Sequence, residues 1–299
     1  MRVPMIVRML GTAVKSWWAD NVPRLGASLA YYTLFSLAPI LVIAIAIAGL
    51  VFGEEAVRGQ IVTQIDQLVG HDGAVAVQGL VEGASRRETG GIVATIIGSI
   101  TFLIAATGAF LELQAALNTI WRVKPKPGVN VEAFLLDRLR SFGLVVAMGF
   151  LLLVSLAVSA ALSALGAWVS RSAPGWPLVW QVVNVLVSLS VITAVFAMVY
   201  RFLPDVKLRW RDVWMGAFVT ALLFSAGKQL IGLYLGQSST ASSYGAAGSV
   251  VVLLLWVYYS AQVILLGAEF TRVYTRRNRS APKPEVYAEK EKGGTAVGR

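Results

Sequence analysis

The feature that most constrains this chain is a long uncharged run near its C-terminal end. No charged residue occurs between Lys228 and Glu269, and residues 246–270 are rich in Val, Leu and aromatic side chains. At about 1.5 Å per residue, roughly 20 residues cross a hydrocarbon layer about 30 Å thick. The run therefore indicates a membrane-spanning helix. A buried helix of a large soluble protein is the other way to place it, and the recurrence of similar runs disfavours that reading.

The composition extends this argument to the whole chain. Of its 299 residues, 57% are hydrophobic and only 14% are charged, whereas typical soluble domains carry about 25% charged residues. A strand of a membrane barrel shows only about ten residues of alternating polarity, so helices fit these runs better. We predict an all-α membrane protein built as a six-helix transmembrane bundle. The predicted spans are residues 25–52, 91–120, 142–169, 179–200, 213–235 and 246–270.

The positions of the basic residues predict the orientation. The net charge is +10, and Lys and Arg are concentrated before the first span, in the second-to-third and fourth-to-fifth connections, and after the sixth span. Short loops rich in Lys and Arg mark the cytoplasmic side, so both termini are expected inside the cell. The first apolar run is too long for a signal-peptide core, and we expect an uncleaved anchor. The chain has no cysteine, which excludes disulfides.

Three segments lie outside the predicted bundle of residues 25–275. Residues 1–24 show apolar positions at helical spacing and are predicted to form a cytoplasmic amphipathic helix in the membrane interface. Residues 53–90 are predicted to form a periplasmic helical insertion, a pair of short amphipathic helices separated by a turn at residues 70–73. Residues 276–299 are rich in Pro, Lys, Glu and Gly, which favours a disordered cytoplasmic tail.

Polar side chains inside the first predicted span share one helical face. Ser28, Tyr32 and Ser36 are four residues apart, and Pro39 continues the series. Pro39 has no N–H to give to the carbonyl four residues earlier, and a free carbonyl at membrane depth needs a partner or a wet cavity. This face is therefore either a polar seam packed against another helix or the wall of a cavity.

Two ionisable residues lie within other predicted spans. Glu112 shares a face of the second span with Ala105 and Gly108, whose small size permits close helix approach. Lys228 lies in the fifth span. Because ionisable residues at membrane depth are functional candidates, we hypothesise that both face one polar cavity. The alternative for Lys228 is a structural lysine whose amine reaches the outer interface.

In the sixth predicted span, Tyr258, Gln262 and Glu269 share one face. Glu269 is close enough to the cytoplasmic end that we expect it to be in contact with water. The candidate substrate pathway comprises Ser28, Tyr32, Ser36, Pro39, Glu112, Lys228, Tyr258, Gln262 and Glu269.

Four stretches of the chain together carry a resemblance to a known protein family. They are ASLAYYTLFSLAPIL, ATGAFLELQAALNTIW, YRFLPDVKLRWRDVWMGA and SSYGAAGSVVVLLLWVYYSAQVILLGAEF. In this order they resemble the YihY/BrkB family of bacterial inner-membrane proteins, and the resemblance covers residues 17–274. It implies six transmembrane helices in the inner membrane. Members have been labelled a virulence-associated serum-resistance factor and ribonuclease BN, the second label now regarded as a misassignment. The resemblance brings no established catalytic motif.

The residues themselves disfavour an enzyme. A hydrolytic metal site needs clustered His, Asp or Glu ligands. The single histidine, His71, lies in a predicted turn, and the cytoplasmic carboxylates are scattered among basic residues. We therefore expect no enzymatic activity, no metal site, no cofactor and no nucleic-acid partner.

A transporter or flippase-like protein for a lipid-like or small anionic solute is the function that we expect. Membrane lipids are expected as partners, through anionic headgroups at the cytoplasmic basic loops. The alternative is a non-transporting scaffold or regulatory protein of the envelope. A water-filled cavity lined by Tyr32, Glu112, Lys228 and Gln262 favours transport, whereas a dry bundle with an exposed apolar face favours the scaffold.

Overall fold

The computed structural model describes residues 5–85, 92–126, 177–237, 248–278, 282–285 and 288–290. These residues are predominantly helical. The helices are α1 (Met5–Ala19), α2 (Val22–Phe52), α3 (Glu54–Ser85), α4 (Ile92–Trp121), α5 (Pro177–Phe202), α6 (Trp210–Gln237) and α7 (Gly248–Asn278). Two short strands, β1 (Val123–Pro125) and β2 (Ala288–Lys290), pair in antiparallel orientation.

Four helices within the described residues are long and apolar enough to cross a membrane. The qualifying segments are Val22–Ile45 of α2, Val185–Phe202 of α5, Trp210–Leu230 of α6 and Val250–Arg277 of α7. They coincide with the first, fourth, fifth and sixth predicted spans, and α4 coincides with the second. The third predicted span, residues 142–169, lies outside the described residues, so the count of six stays a prediction.

Two residues with positive φ set the ends of α2. Asn21 has φ 51° and separates α2 from α1, and Pro23 follows in the first turn of α2, where a missing N–H is tolerated. Gly53 has φ 85°, and its N–H donates to the carbonyl of Gly49 at 2.9 Å. Glycine adopts this backbone conformation without steric cost. Because α3 starts at the next residue, α2 and α3 form a helical hairpin with a one-residue connection.

The predicted pair of short helices after the first span is wrong. A single helix, α3, runs through the turn predicted at residues 70–73. A glycine inside a helix costs only about 1 kcal/mol relative to alanine, whereas burying one aliphatic side chain contributes about 1.5–3 kcal/mol. Apolar residues of α3 on both sides of the predicted turn pack in one cluster, so packing outweighs the local turn signal. The buried members of this cluster are Ile45, Val57, Val77, Val81, Leu253 and Trp256. The periplasmic position of the segment stays a prediction.

The chain divides into two compact units. The first comprises Met1–Asp20, Gln114–Leu223 and Leu266–Arg299, and the second comprises Asn21–Leu113 and Phe224–Leu265.

Within the first unit, α1 buries one face and leaves another exposed. Met9 and Ala13 are buried against Phe270 of α7. Val14 and Trp18 are exposed on another side of the helix. An exposed apolar face of this kind suits a membrane interface, and the interfacial position of residues 1–24 stays a prediction.

The C-terminal tail also belongs to the first unit, and parts of it are ordered where the sequence favours disorder. β2 pairs with β1. The N–H of Glu285 donates to the carbonyl of Asp205 at 3.0 Å, and the N–H of Lys207 donates to the carbonyl of Lys283 at 3.0 Å. The expectation of disorder across residues 276–299 is therefore wrong for the described tail residues. The composition of the tail indicates a segment without a hydrophobic core of its own. It does not show that β1 and the connection between α5 and α6 offer backbone hydrogen-bond partners to the tail.

Candidate functional site

The middle of α2 meets the middle of α4 through a single hydroxyl group. Ser36 Oγ donates to the carbonyl of Ala105 at 2.6 Å and accepts from the N–H of Ala109 at 3.1 Å. In an undisturbed α-helix these two backbone groups bond to each other, because they lie four residues apart. Ser36 therefore contacts both members of one backbone pair of α4. Insertion of a side chain into this ladder is a known cause of local bending in helices.

Small residues on α4 make this approach possible. A Cβ atom on Gly108 would lie 3.2 Å from Ser36 Oγ and 3.4 Å from Tyr32 Cδ1, so only glycine fits there without displacing a neighbour. The sequence prediction of close approach on this face of α4 is confirmed. Ser36 is buried, whereas the Tyr32 side chain is 44% exposed. This face of α2 therefore packs against α4 at Ser36 and is exposed to the surroundings at Tyr32.

The open side of this face is aromatic. The rings of Tyr31 and Tyr32 lie 5.7 Å apart and those of Tyr31 and Phe35 lie 4.8 Å apart. Pro39 is buried within the next turn of α2 and leaves the Phe35 carbonyl without its usual helical donor. A polar position therefore lies inside the candidate span of α2. We call Tyr32, Ser36, Ala105, Gly108 and Ala109 the Ser36 site.

Gln262 of α7 contacts the first turn of α2. Its Nε2 lies 3.5 Å from the carbonyl of Pro23, at the limit for a hydrogen bond. Gly26 is buried against the Gln262 amide, and a Cβ atom there would collide with Nε2. The structure thus places Gln262 against the first turn of α2, and its membership of a substrate pathway stays a prediction.

The remaining pathway residues of the second unit have fewer contacts. Ser28, Glu112, Lys228 and Tyr258 are partly buried. Within the described parts of the chain, these four side chains form no hydrogen bond or ion pair. The hypothesis that Glu112 and Lys228 share a cavity stays a prediction.

Glu269 belongs to the first unit, where it is part of a buried charged network. Glu269 is 0% exposed and Arg272 is 3% exposed, so the expectation that Glu269 is in contact with water is wrong. Arg272 Nη2 lies 2.7 Å from Glu269 Oε2, and Arg272 Nη1 lies 2.9 Å from Asp20 Oδ2. One guanidinium group therefore pairs with two carboxylates. Helix packing around the last turns of α7 excludes the water that the sequence position suggested.

The same arginine joins three parts of the first unit. Arg272 Nη1 also donates to the carbonyl of Ile120 near the end of α4. Asp20, directly after α1, lies 3.3 Å from the exposed Arg122. Neither carboxylate oxygen of Glu269 accepts a well-directed hydrogen bond from the described residues, so the short contact with Arg272 is an ionic one. Arg276, in the last turn of α7, also interacts electrostatically with both arginines and both acids, so three arginines face two carboxylates.

A second buried carboxylate fixes the connection between α5 and α6. Asp205 accepts from Gln114 Nε2 at 3.1 Å and from Asn118 Nδ2 at 2.8 Å, and its own N–H donates to Asn118 Oδ1 at 2.9 Å. The sequence does not reveal these partners, because all three contacts join residues far apart in the chain. Likewise, the predicted orientation treats Arg272 only as a cytoplasmic charge after the sixth span, although its spacing from Glu269 is typical of a helical ion pair.

No three His, Cys, Asp or Glu side chains in the described part of the chain are grouped closely enough to hold a metal ion. The expected absence of a metal site and of a cofactor stays a prediction.

Comparison with known proteins adds a family relationship. The pattern of the family described as virulence factor BrkB matches residues 13–291. The chain is 29% identical to a UPF0761 membrane protein of Verminephrobacter eiseniae over 260 residues, which are 85% of this chain and 58% of that protein. It is also 29% identical to UPF0761 membrane proteins of Ralstonia nicotianae and Pseudomonas paraeruginosa, covering 89% of this chain and 58% and 64% of theirs. The chain thus spans less than two thirds of the length of these curated relatives. No solved structure matches it.

Proposed function

Since the chain belongs to the virulence factor BrkB family of membrane proteins and carries several apolar helices, we propose that it moves a lipid-like or small anionic solute across the bacterial inner membrane. In this proposal it is a multi-pass protein with both termini in the cytoplasm, it performs no enzymatic reaction, and its basic connections contact anionic headgroups.

The observation that carries the proposal is the contact of the Ser36 hydroxyl with the Ala105 carbonyl and the Ala109 N–H of α4. Backbone polar groups at membrane depth must be satisfied within the protein or by water in a cavity. Transporters commonly bind solutes near the midplane, where helices are interrupted and expose such groups. In this proposal the Ser36 hydroxyl, beside the exposed ring of Tyr32, is the hydrogen-bonding group that a solute meets inside the candidate span.

Transport can be measured directly in proteoliposomes. The purified protein would be reconstituted with fluorescent phosphatidylglycerol or phosphatidylethanolamine, and transbilayer movement followed by quenching of the outer leaflet. Parallel vesicles would report efflux of small anions. We expect the protein to accelerate at least one of these movements, and we expect Ser36→Ala to slow it severalfold. Its stability should fall by only about 0.6 kcal/mol, the average for a hydrogen bond inside a membrane protein.

Ser190→Ala is the matched control. Ser190 Oγ bonds to the carbonyl of Leu186 within its own helix at 2.7 Å, so its loss removes a serine hydroxyl from a candidate span without touching another helix. We expect wild-type movement rates from it.

Two outcomes would count against the proposal. If the folded protein moves neither labelled lipid nor any small anion, the scaffold alternative is favoured. If the slower movement in Ser36→Ala is accounted for by a loss of folded protein, Ser36 contributes to helix packing and is not part of a pathway.

A further inference from the structure

Arg201, in the last turn of α5, lies against aromatic rings. Its guanidinium carbon is 4.5 Å from the ring centre of Trp210 and 5.3 Å from that of Phe202. The two rings meet edge to face at 5.8 Å. A cation over an aromatic face gains about 0.5–1 kcal/mol at exposed sites and about 2 kcal/mol when desolvated. The rings thus stabilise the position of the guanidinium, and no hydrogen bond or ion pair with the described residues occupies its N–H donors.

Two more arginines accompany it. Arg209 and Arg211 flank Trp210, and both are exposed. Among the residues that the structure describes, Arg201, Arg209 and Arg211 form no ion pair. Three arginines therefore lie within eleven residues around the connection between α5 and α6, and none of them pairs with an acidic side chain of the described residues.

The acidic residues of this connection are already engaged. Asp205 is buried and accepts from two amide side chains of α4. Asp212 is buried and accepts from the N–H of Arg209 at 3.2 Å. Glu285 from the tail lies 3.7 Å from Lys207. Residues 201–212 contain four basic and two acidic side chains, so the connection keeps a net positive charge of two.

An apolar stripe begins at the same place. Trp210, Trp214, Phe218 and Leu222 are all exposed, and their spacing of four residues puts them on one face of α6. By helical rise the stripe extends about 18 Å along the candidate span. A cationic end joined to an apolar stripe has the same division of polarity as a phospholipid molecule.

We infer that Arg201, Trp210 and Arg211 bind the headgroup of an anionic phospholipid whose acyl chains lie along the stripe from Trp214 to Leu222. Guanidinium groups bind phosphate oxygens through paired N–H donors, and a basic residue near an anionic membrane surface contributes about 1 kcal/mol. A zwitterionic lipid offers the same phosphate with a compensating ammonium group, so it binds more weakly. The inference rests on the membrane position of the protein and does not require that it transports anything.

Native mass spectrometry in neutral detergent tests this inference. Delipidated protein would be titrated with phosphatidylglycerol or phosphatidylcholine of identical chains. We expect one phosphatidylglycerol to bind preferentially, and Arg201→Gln to weaken its binding about fivefold, the change that corresponds to about 1 kcal/mol. Trp210→Leu keeps an apolar side chain but removes the ring under the guanidinium, and it should weaken binding in the same direction. Arg277→Gln, which removes an exposed arginine in the last turn of α7, is the control with the same change in charge.

Equal binding of the two lipids by the wild-type protein would overturn the inference, because the surface would then hold only ordinary surrounding lipid. Equal losses in Arg201→Gln and Arg277→Gln would overturn it as well, since they would indicate an effect of total charge. If Trp210→Leu binds phosphatidylglycerol like the wild type, the stacked arginine is not the headgroup site. Each readout is made without a transport assay, so a failure here is separate from a failure of the proposed transport.

Discussion

Replacing Arg272 with methionine should be among the most damaging single substitutions in the described part of the chain. The variant removes the guanidinium group but keeps a long apolar side chain of similar volume. It leaves Glu269 fully buried without its ionic partner, and it deprives Asp20, whose side chain is 12% exposed, of its closer cation. Removing one partner of a buried ion pair typically costs about 3–5 kcal/mol. We expect a loss of unfolding free energy in that range.

A double variant separates the ion pair from the packing. In Glu269→Met with Arg272→Met, no buried charge of the pair remains, and Asp20 still has Arg122 at 3.3 Å. Replacing a buried pair by apolar residues is often neutral or stabilising. The double variant should therefore recover most of the stability that Arg272→Met alone loses, which gives a coupling energy of about 2 kcal/mol or more between the two positions.

Unfolding in mixed micelles, followed by the fluorescence of the nine tryptophans, provides the measurement. Wild type, both single variants and the double variant would be compared under identical conditions. The reasoning is refuted if Arg272→Met costs less than about 1 kcal/mol, the value typical of exposed pairs. Water would then reach Glu269 in the folded protein, and the network would not hold α1, α4 and α7 together.

Three further predictions concern packing, topology and the intramembrane lysine. Gly267→Ala should destabilise the protein by about 1–3 kcal/mol, because the new methyl group meets the Tyr200 and Thr220 hydroxyls, whereas Gly79→Ala, which has open space around it, should be neutral or slightly stabilising in the same unfolding assay. Since the chain has no cysteine, a cysteine introduced at Gly79 or at a tail residue can be labelled uniquely; in intact cells an impermeant maleimide should reach only the Gly79 position, and the opposite result would reverse the topology. Lys228→Met should preserve thermal stability while abolishing movement in proteoliposomes, and a joint loss of both would make this lysine structural.

The long apolar helices among the described residues could be predicted because apolar length alone defines them. A stretch such as that around Trp256 has few alternatives to a long helix in a membrane. The continuity of α3 could not be predicted, because its local Gly-His-Asp-Gly signal favours a turn and only contacts with distant residues such as Ile45 override it. The local sequence indicates helix propensity, whereas tertiary packing determines whether a helix continues through residues of low propensity.

The candidate site was predicted in part for a related reason. Helical spacing correctly grouped Tyr32 with Ser36 and pointed to Gly108 as a place of close approach. It could not show which helix Ser36 meets, because the register between two helices depends on how both of them pack. The same limit applies to Arg272, whose contact with Asp20 joins residues far apart in the chain. Arg272 lies just after a predicted span, where Lys and Arg usually mark the cytoplasmic side. The sequence therefore does not distinguish an arginine that marks topology from one that pairs with a buried acid.

The pairing of β1 with β2 has a consequence for the order in which the protein is made. Val123 lies opposite Lys290, and Lys290 leaves the ribosome after every described helix. Until then the backbone groups of β1 remain an open strand edge, a feature prone to pairing with other chains. The contacts of Glu285 and Lys283 with the α5–α6 connection also form at that stage. Closure of this small sheet therefore marks a late step of biogenesis, and a nascent chain halted after α7 would expose an edge that the finished protein covers.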